Sequence, residues 1–233
     1  MFKKKYFLLD PKFPKRLLKS GDLRTVQFIH YLFEDYSRRD VTENTDRCIA
    51  VSGLEARIAD TIQSESRYGI FRRFLHRNLL WYTSDNKTEL ITYDKNQQVP
   101  SWSWMAISGG IQFMDIKTKL AEWVDTLQFD KEREHALITD VGKFRDCTME
   151  PDGDHHVILD FSRRKRGWIR YDVENDSEPR QERCVVIGGH ERDFDYYILV
   201  VVPTRVDGEY RRVGVGTIHC SYVEKCKKDV RVV

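Results

Sequence analysis

In the first third of the chain, apolar residues recur every three or four positions. Val26, Ile29, Phe33 and Tyr36 share one face of a helix, with Asp22 placed as its N-cap. A second stripe, Ile49, Leu54, Ile58 and Ile62, predicts a helix that begins after Thr45 or Asp46, either of which can accept bonds from the free amides of a first turn. Ser52-Gly53 lies inside it. Glycine there costs about 1 kcal/mol relative to alanine, so close packing on that turn is expected. Tyr68, Phe71, Phe74, Leu75 and Leu79 predict a third helix over 67–80.

Beyond the polar cluster at 83–87 the period falls to two. Residues 89–93 read as a strand. Val99 precedes Pro100 and must be extended. Trp102, Trp104 and Ala106 alternate with Ser103, Met105 and Ile107, which predicts a strand, and Gly109-Gly110 permits a tight hairpin into 111–114. Further β-rich runs cover 135–139, 156–161, 168–171, 184–187, 196–202 and 210–218, separated by the turn signals PDGD, RRKRG, ENDSEP, GGHERD and VDG. YYILVVV is apolar on both faces, so it predicts a central covered strand. Gly214 and Gly216 predict a bulge or a close backbone approach. The expected fold is α+β: N-terminal helices packed on a mainly antiparallel β-sheet sandwich or partly open barrel. A mainly helical region over 1–115 and a mainly β region over 116–233 form either one continuous domain or two.

Composition adds a sizeable core. The 233 residues are 40% hydrophobic and include 23 Phe and Tyr plus five Trp, too many large apolar side chains for a disordered chain. Charge gives no support to a polyanion partner, because 39 basic and 37 acidic residues are interspersed and the net charge is only +2. The lysines at 3–5 precede an apolar stretch far shorter than the about 7–15 residues of a signal peptide, and no run approaches the about 18 of a membrane span. The expectation is a cytoplasmic protein, with a nuclear location open. Cys48, Cys147, Cys184, Cys220 and Cys226 form no CxxC, and reduced, mostly buried thiols are expected.

Several features carry candidate chemistry. Asp154, His155 and His156 sit close together, with His190 and His219 later; Asp154 and His156 can share a strand face and ligate a metal, but no HxH or HxxxH accompanies them and a polar turn entering a strand is the favoured reading. No serine or cysteine sits in a nucleophile motif. The loops ISGG and GVGT lack the strand-then-helix context of a phosphate cradle. The basic run Arg163, Arg164, Lys165 and Arg166 suits an import signal or a polyanion contact, and suits a solvated hairpin tip better. Trp102 and Trp104 can stack on a ligand, but core anchoring is preferred. Asp46 is read as a helix cap and Arg47 as its neighbour bridging to a carboxylate. No metal or cofactor is expected.

Four segments, in order, resemble fungal heterokaryon-incompatibility (HET) proteins in the region downstream of their HET domain. They are YLFEDYSRRDVTENTDRCIAVSGLEARIA, the tract ending NLLWY, VPSWSWMAISGGI and YYILVVVPTRVDGEYRRVGVGTIH. The match covers 28–111 and 194–233 and singles out Asp46, Arg47, Trp102, Trp104, Arg211 and Arg212 as motif positions. The motifs of the HET domain itself are not found in the sequence, so its effector activity is not carried over. The resemblance implies a non-catalytic accessory or sensing region in self/non-self recognition, acting by protein–protein contact, with a HET domain of TIR-like fold as partner in cis or trans. Two alternatives stay open: an enzyme whose site is assembled from distant residues, and a nucleic-acid-binding β module using the Arg163–Arg166 run.

Overall fold

The computed structural model describes residues 17, 19, 21–39, 43–84, 88–94, 97–116, 121–173, 181–190 and 194–233. The basic N-terminal stretch, the ENDSEP turn, and the end of GGHERD lie outside them. Helix α1 spans Asp22–Ser37 and buries Val26, Ile29, Leu32 and Phe33. Its N-cap is Gly21, so Asp22 starts the helix instead of capping it, and favours it through its charge near the N-terminal dipole. Helix α2 spans Arg47–Ile62 from an N-cap at Asp46, whose side chain makes no capping bond. Its buried face is Arg47, Val51, Ile58 and Ile62, while Ile49 is exposed. Ile58 and Ile62 hold the predicted stripe and Leu54 packs against the core, whereas Ile49 does not join it, and Arg47 takes the buried place in the first turn. Gly53 meets no close neighbour, contrary to the expected packing.

The predicted helix over 67–80 is broken. A hairpin of β1 (Ser66–Arg67) and β2 (Ile70–Phe71) leads through a 3-10 turn to the short α3 (Leu75–Leu79). Tyr68 and Gly69 both take positive φ, 51° and 77°, the pair a tight primed hairpin turn requires. A Cβ on Gly69 would press on the indole nitrogen of Trp104, so the turn also needs the missing side chain.

The Trp-rich segment is not a strand either. Pro100, Trp102 and their neighbours form turns, and Trp104–Ala106 is a 3-10 helix started by the Ser103 hydroxyl, which accepts from the Met105 amide. After Gly109-Gly110, β4 (Ile111–Phe113) pairs with β3 (Trp81–Thr83) instead of folding back on 102–106. Of the strand expected over 89–93, a single bridge between Leu90 and Ile107 forms. Trp102 and Trp104 are wholly buried, Trp104 against Phe33 and Tyr36, and Trp102 against Tyr68 and Phe129. The turn thus buries both indoles, one against α1 and one against the Tyr68 turn and Phe129.

The large mixed sheet contains short β5 (Ala121–Trp123) and β6 (Gln128–Phe129), then β7 (Leu137–Phe144), β8 (Cys147–Asp152), β9 (His155–Asp160), β10 (Lys165–Tyr171), β11 (Arg183–His190), β12 (Asp195–Pro203), β13 (Glu209–His219) and β14 (Val223–Val232). β12, β11, β7, β14 and β13 pair in that order, and β13 pairs back onto β12, so five strands close a circuit. The pairings are antiparallel except the β13–β14 contact, where Glu209 and Tyr210 face Arg231 and Val232. β10, β9 and β8 extend outward from β13. Strand β12 is covered on both faces: Leu199 and Val201 meet the core shared with the helices, and Ile198, Val200 and Val202 meet a second cluster with Ile158, Ile169 and Ile218. A bulge falls between Val200 and Val201, opposite Gly214 and Arg212, and a Cβ on Gly216 would fall on the Trp168 carbonyl oxygen. The first core runs from Val26 to Val232, joining both halves of the chain. No described helix is long and apolar enough to cross a membrane.

Two buried arginines fasten the helical layer to the sheet. Arg212, on β13, donates to both carboxylate oxygens of Asp172 at 3.0 Å. It also donates to the carbonyls of Leu79 at 2.6 Å and Trp81 at 2.5 Å, and its guanidinium carbon lies 3.4 Å from the Trp81 ring centre. Burial pushes the Asp172 carboxyl up, opposed by Arg212. Arg47 donates to the carbonyls of Ile107, Ser37 and Gly109 and lies over Trp104. No carboxylate pairs with it among the described residues, which corrects the expected bridge. The convergent carbonyls of a helix end and a glycine turn do that work, using the fork of guanidinium donors.

Replacing Arg212 with Met strands a buried carboxylate and two carbonyls. Urea unfolding should show a loss of about 3–5 kcal/mol. The Asp172→Asn change should cost much less in the Arg212→Met background than in the wild type, as coupled partners do. A loss under about 1 kcal/mol for Arg212→Met would mean that the clamp does not hold the layers.

Candidate functional site

The residues singled out in the sequence do not form one site. Arg47, Trp102, Trp104 and Arg212 are interior, Asp46 and Arg211 are exposed, and Arg211 pairs its backbone with Val202. The basic run is divided. Arg163 grips both oxygens of Glu150, and Arg166 pairs with Asp160 at 2.8 Å and lies over Tyr222. Arg163 and Arg164 are exposed in the turn between β9 and β10, and Lys165 opens β10. Asp154 and His156 do not share a face: Asp154 pairs with Arg170 at 2.6 Å, while the His156 ring meets Tyr171 edge-on. The turn at Gly153 breaks the strand alternation before Asp154. His190 ends β11 and His219 ends β13. Among the described residues no three His, Cys, Asp or Glu converge for a metal. Cys48, Cys147, Cys184 and Cys220 are not in disulfides, and of these four only Cys184 is fully buried, fewer than expected.

A hollow instead runs along α1. Two adjoining clefts of about 310 and 190 Å³ share Leu23, Val26 and Arg77. One wall is α1. The other is the Arg73–Arg77 stretch and Trp123 of β5. His76 donates from Nε2 to the Val124 carbonyl at 2.8 Å and stacks on Trp123. That bond fixes its tautomer, since a carbonyl only accepts. Arg73 pairs with Asp22 at 2.9 Å at one mouth. Arg77 lies over Trp123, 5.2 Å from the ring centre, and makes one long bond of 3.4 Å to the Ile116 carbonyl. No carboxylate lies within ion-pairing distance of it among the described residues. Asp115 lines the same cleft and acts on Arg77 only at longer range. Burial lowers the Arg77 pKa.

His30 forms part of the second cleft. It stacks flat on Phe113 at 3.8 Å, and its Nε2 is buried with no hydrogen-bond partner. Burial, with Arg77 adding to it, pulls its pKa down to about 3, so the ring is neutral throughout the physiological range. Beside Arg77, a protonated imidazole would add a second positive charge to a dry wall.

A second, smaller recess of about 280 Å³ lies where β3 meets β9 and β10, lined by Tyr82, Asp154, His155, Lys165, Trp168 and Arg170. Sequence reading named some of these residues, in separate roles, and missed their meeting. It missed the α1 cleft altogether. Arg73 and Arg77, four apart, were the available signal.

Compared with known protein families, with curated proteins and with solved structures, the chain matches none. The likeness to HET proteins therefore rests on the ordered motifs alone.

The His30 environment makes stability pH-dependent. The unfolded chain protonates this histidine near its ordinary value of 6.5, while the folded chain does so only near 3. Acid between those values therefore favours the unfolded state, by up to about 1.4 kcal/mol per pH unit from this group. His76 and His156 are lowered by burial too and act in the same direction. Urea titrations at pH 7 and pH 5 should show a smaller acid loss for His30→Gln than for the wild type. Equal losses would contradict a neutral, buried His30.

Proposed function

We propose that the chain is a non-catalytic accessory module of a HET-type recognition protein, and that it works by binding another protein along the α1 cleft. The observation that carries this reading is Arg77: a partly desolvated guanidinium over Trp123 whose described bonding is one long contact to a carbonyl. Such a group gains most from an incoming carboxylate, which it can hold in a forked pair. Exposed Leu23, at the edge of both clefts, and Val26 on their floor supply apolar surface beside it. The partner surface that fits is an apolar side chain next to an Asp or Glu. The motif resemblance nominates a HET domain as its bearer.

Two of the cysteines, Cys48 and Cys147, are poor nucleophiles where they sit. Burial pushes the Cys48 thiol up, and Cys147 is pushed up to about 11, so neither is a thiolate at neutral pH.

Calorimetric titration of the chain against the HET domain of a HET-type protein tests the reading. Leu23→Asp and Arg77→Glu should each weaken binding about tenfold or more, as central apolar and arginine contacts do, with the melting temperature nearly unchanged. Absence of binding, or binding indifferent to both substitutions, would overturn it.

A further inference from the structure

The recess at β9–β10 has a construction of its own. Strand β10 carries Ile169 toward the second core cluster, so Trp168 and Arg170 face the other side of the sheet. On β13 that side is covered, with Val215 buried in the core shared with the helices. Farther out the helical layer stops at Tyr82, whose ring meets the Arg170 guanidinium at 5.3 Å, and the sheet face beyond it lies open.

A bulge completes the recess. Lys165 opposes Leu159 and Gly167 opposes Ile158, so β10 has one residue more than β9 at this point. Without it, strict alternation would put Arg166 beside Trp168 and Arg170, and Lys165 on the opposite face. With it, Lys165 lines the recess, and Arg166 turns away to Asp160 and Tyr222. Around this turn Arg163, Arg166 and Arg170 each hold a carboxylate, from Glu150, Asp160 and Asp154. Lys165 lines the recess with no carboxylate in ion-pairing distance among the described residues. Arg170 uses one of its donors on Asp154. Asp154 also accepts from His155, whose ring stands edge-on to Trp168.

The recess therefore offers one half-buried indole, an uncompensated ammonium, and a guanidinium held in place by Asp154 with donors to spare. Indole faces take planar rings of any sequence. A lysine ammonium and a forked arginine take phosphate oxygens. We propose that this recess binds a nucleotide unit, with its ring against Trp168 and its phosphate between Lys165 and Arg170. At about 280 Å³ the recess has room for one such unit. The near-neutral total charge of the chain conceals the site, because the neighbouring arginines are neutralised in place while Lys165 is not. The proposal is independent of the α1 cleft and shares no residue with it.

The test is calorimetric titration of the full chain with AMP, with inorganic phosphate, and with a ten-nucleotide DNA oligomer, together with the Trp168 indole signal in nitrogen–proton NMR spectra. AMP should bind with a Kd of about 1 mM or tighter, shift the Trp168 indole signal, and bind roughly tenfold or more weakly to Lys165→Ala and to Trp168→Leu. Lys165 is exposed, so its replacement tests the site without endangering the fold. An oligomer that binds tighter than AMP and loses affinity steeply with salt assigns the nucleotide to a strand, while equal binding assigns it to a free nucleotide. Inorganic phosphate binding as tightly as AMP, AMP binding unchanged by Lys165→Ala, or no binding by AMP and oligomer alike would overturn the proposal.

Discussion

The buried Arg212–Asp172 pair ties the end of the helical layer to the sheet, through the carbonyls of Leu79 and Trp81. The pair is costly to build. Each ion is stripped of water, and desolvation disfavours the charged form of both. It is tolerated because the geometry is complete. Both carboxylate oxygens are taken, two further guanidinium donors end on the carbonyls of Leu79 and Trp81, and the ring of Trp81 covers one face of the cation. The carbonyls of Leu79 and Trp81 flank the end of α3, where helical bonding has stopped. Arg212 supplies the donors that this chain end lacks.

The surface features inherit their shape from that joint. Tyr82 follows Trp81 directly, and Arg170 precedes Asp172 by two residues, so the recess at β9–β10 is framed by neighbours of the clamp on both sides. The α1 cleft depends on the same attachment, because its walls come from α1, from the stretch leading into α3, and from β5 on the sheet. Arg47 does the equivalent service at the other end of the helical layer. It gathers the end of α1 and the turn at Gly109 around one charge, and the Ser37 hydroxyl accepts from the Ile111 amide beside it.

The sequence made the strand-rich half legible where residues alternate or run wholly apolar, as in β12, and where PDGD and RRKRG mark reversals. It concealed β14, whose residues VEKCKKDVRV are mostly charged. Its strand character comes from pairing with β7 across two register shifts, a long-range fact that no local pattern carries. It concealed β8 for a similar reason, since a polar strand containing Pro151 belongs at a sheet edge and looks like a loop. The failed helix over 67–80 has a nearer cause. The apolar spacing was genuine, but two adjacent left-handed residues at 68 and 69 override it. At the start of α2 the apolar stripe placed Ile49 inward, while the structure buries Arg47 there instead. A charge satisfied by carbonyls from two other segments, the end of α1 and the turn at 107–109, cannot be read from its own segment. The recess was half legible: Trp168 and Arg170 share a strand face by period two, while the bulge that brings Lys165 to them is visible only in the register.

The central claim is that the helical layer and the β circuit form one cooperative unit fastened by Arg212. Thermal unfolding followed in parallel by far-ultraviolet circular dichroism, which reports the helices, and by near-ultraviolet dichroism of the buried tryptophans tests it most directly. The account predicts one transition with coincident midpoints and a calorimetric enthalpy equal to the van't Hoff value. Two separated transitions, with helical signal lost while the sheet stays folded, would contradict it.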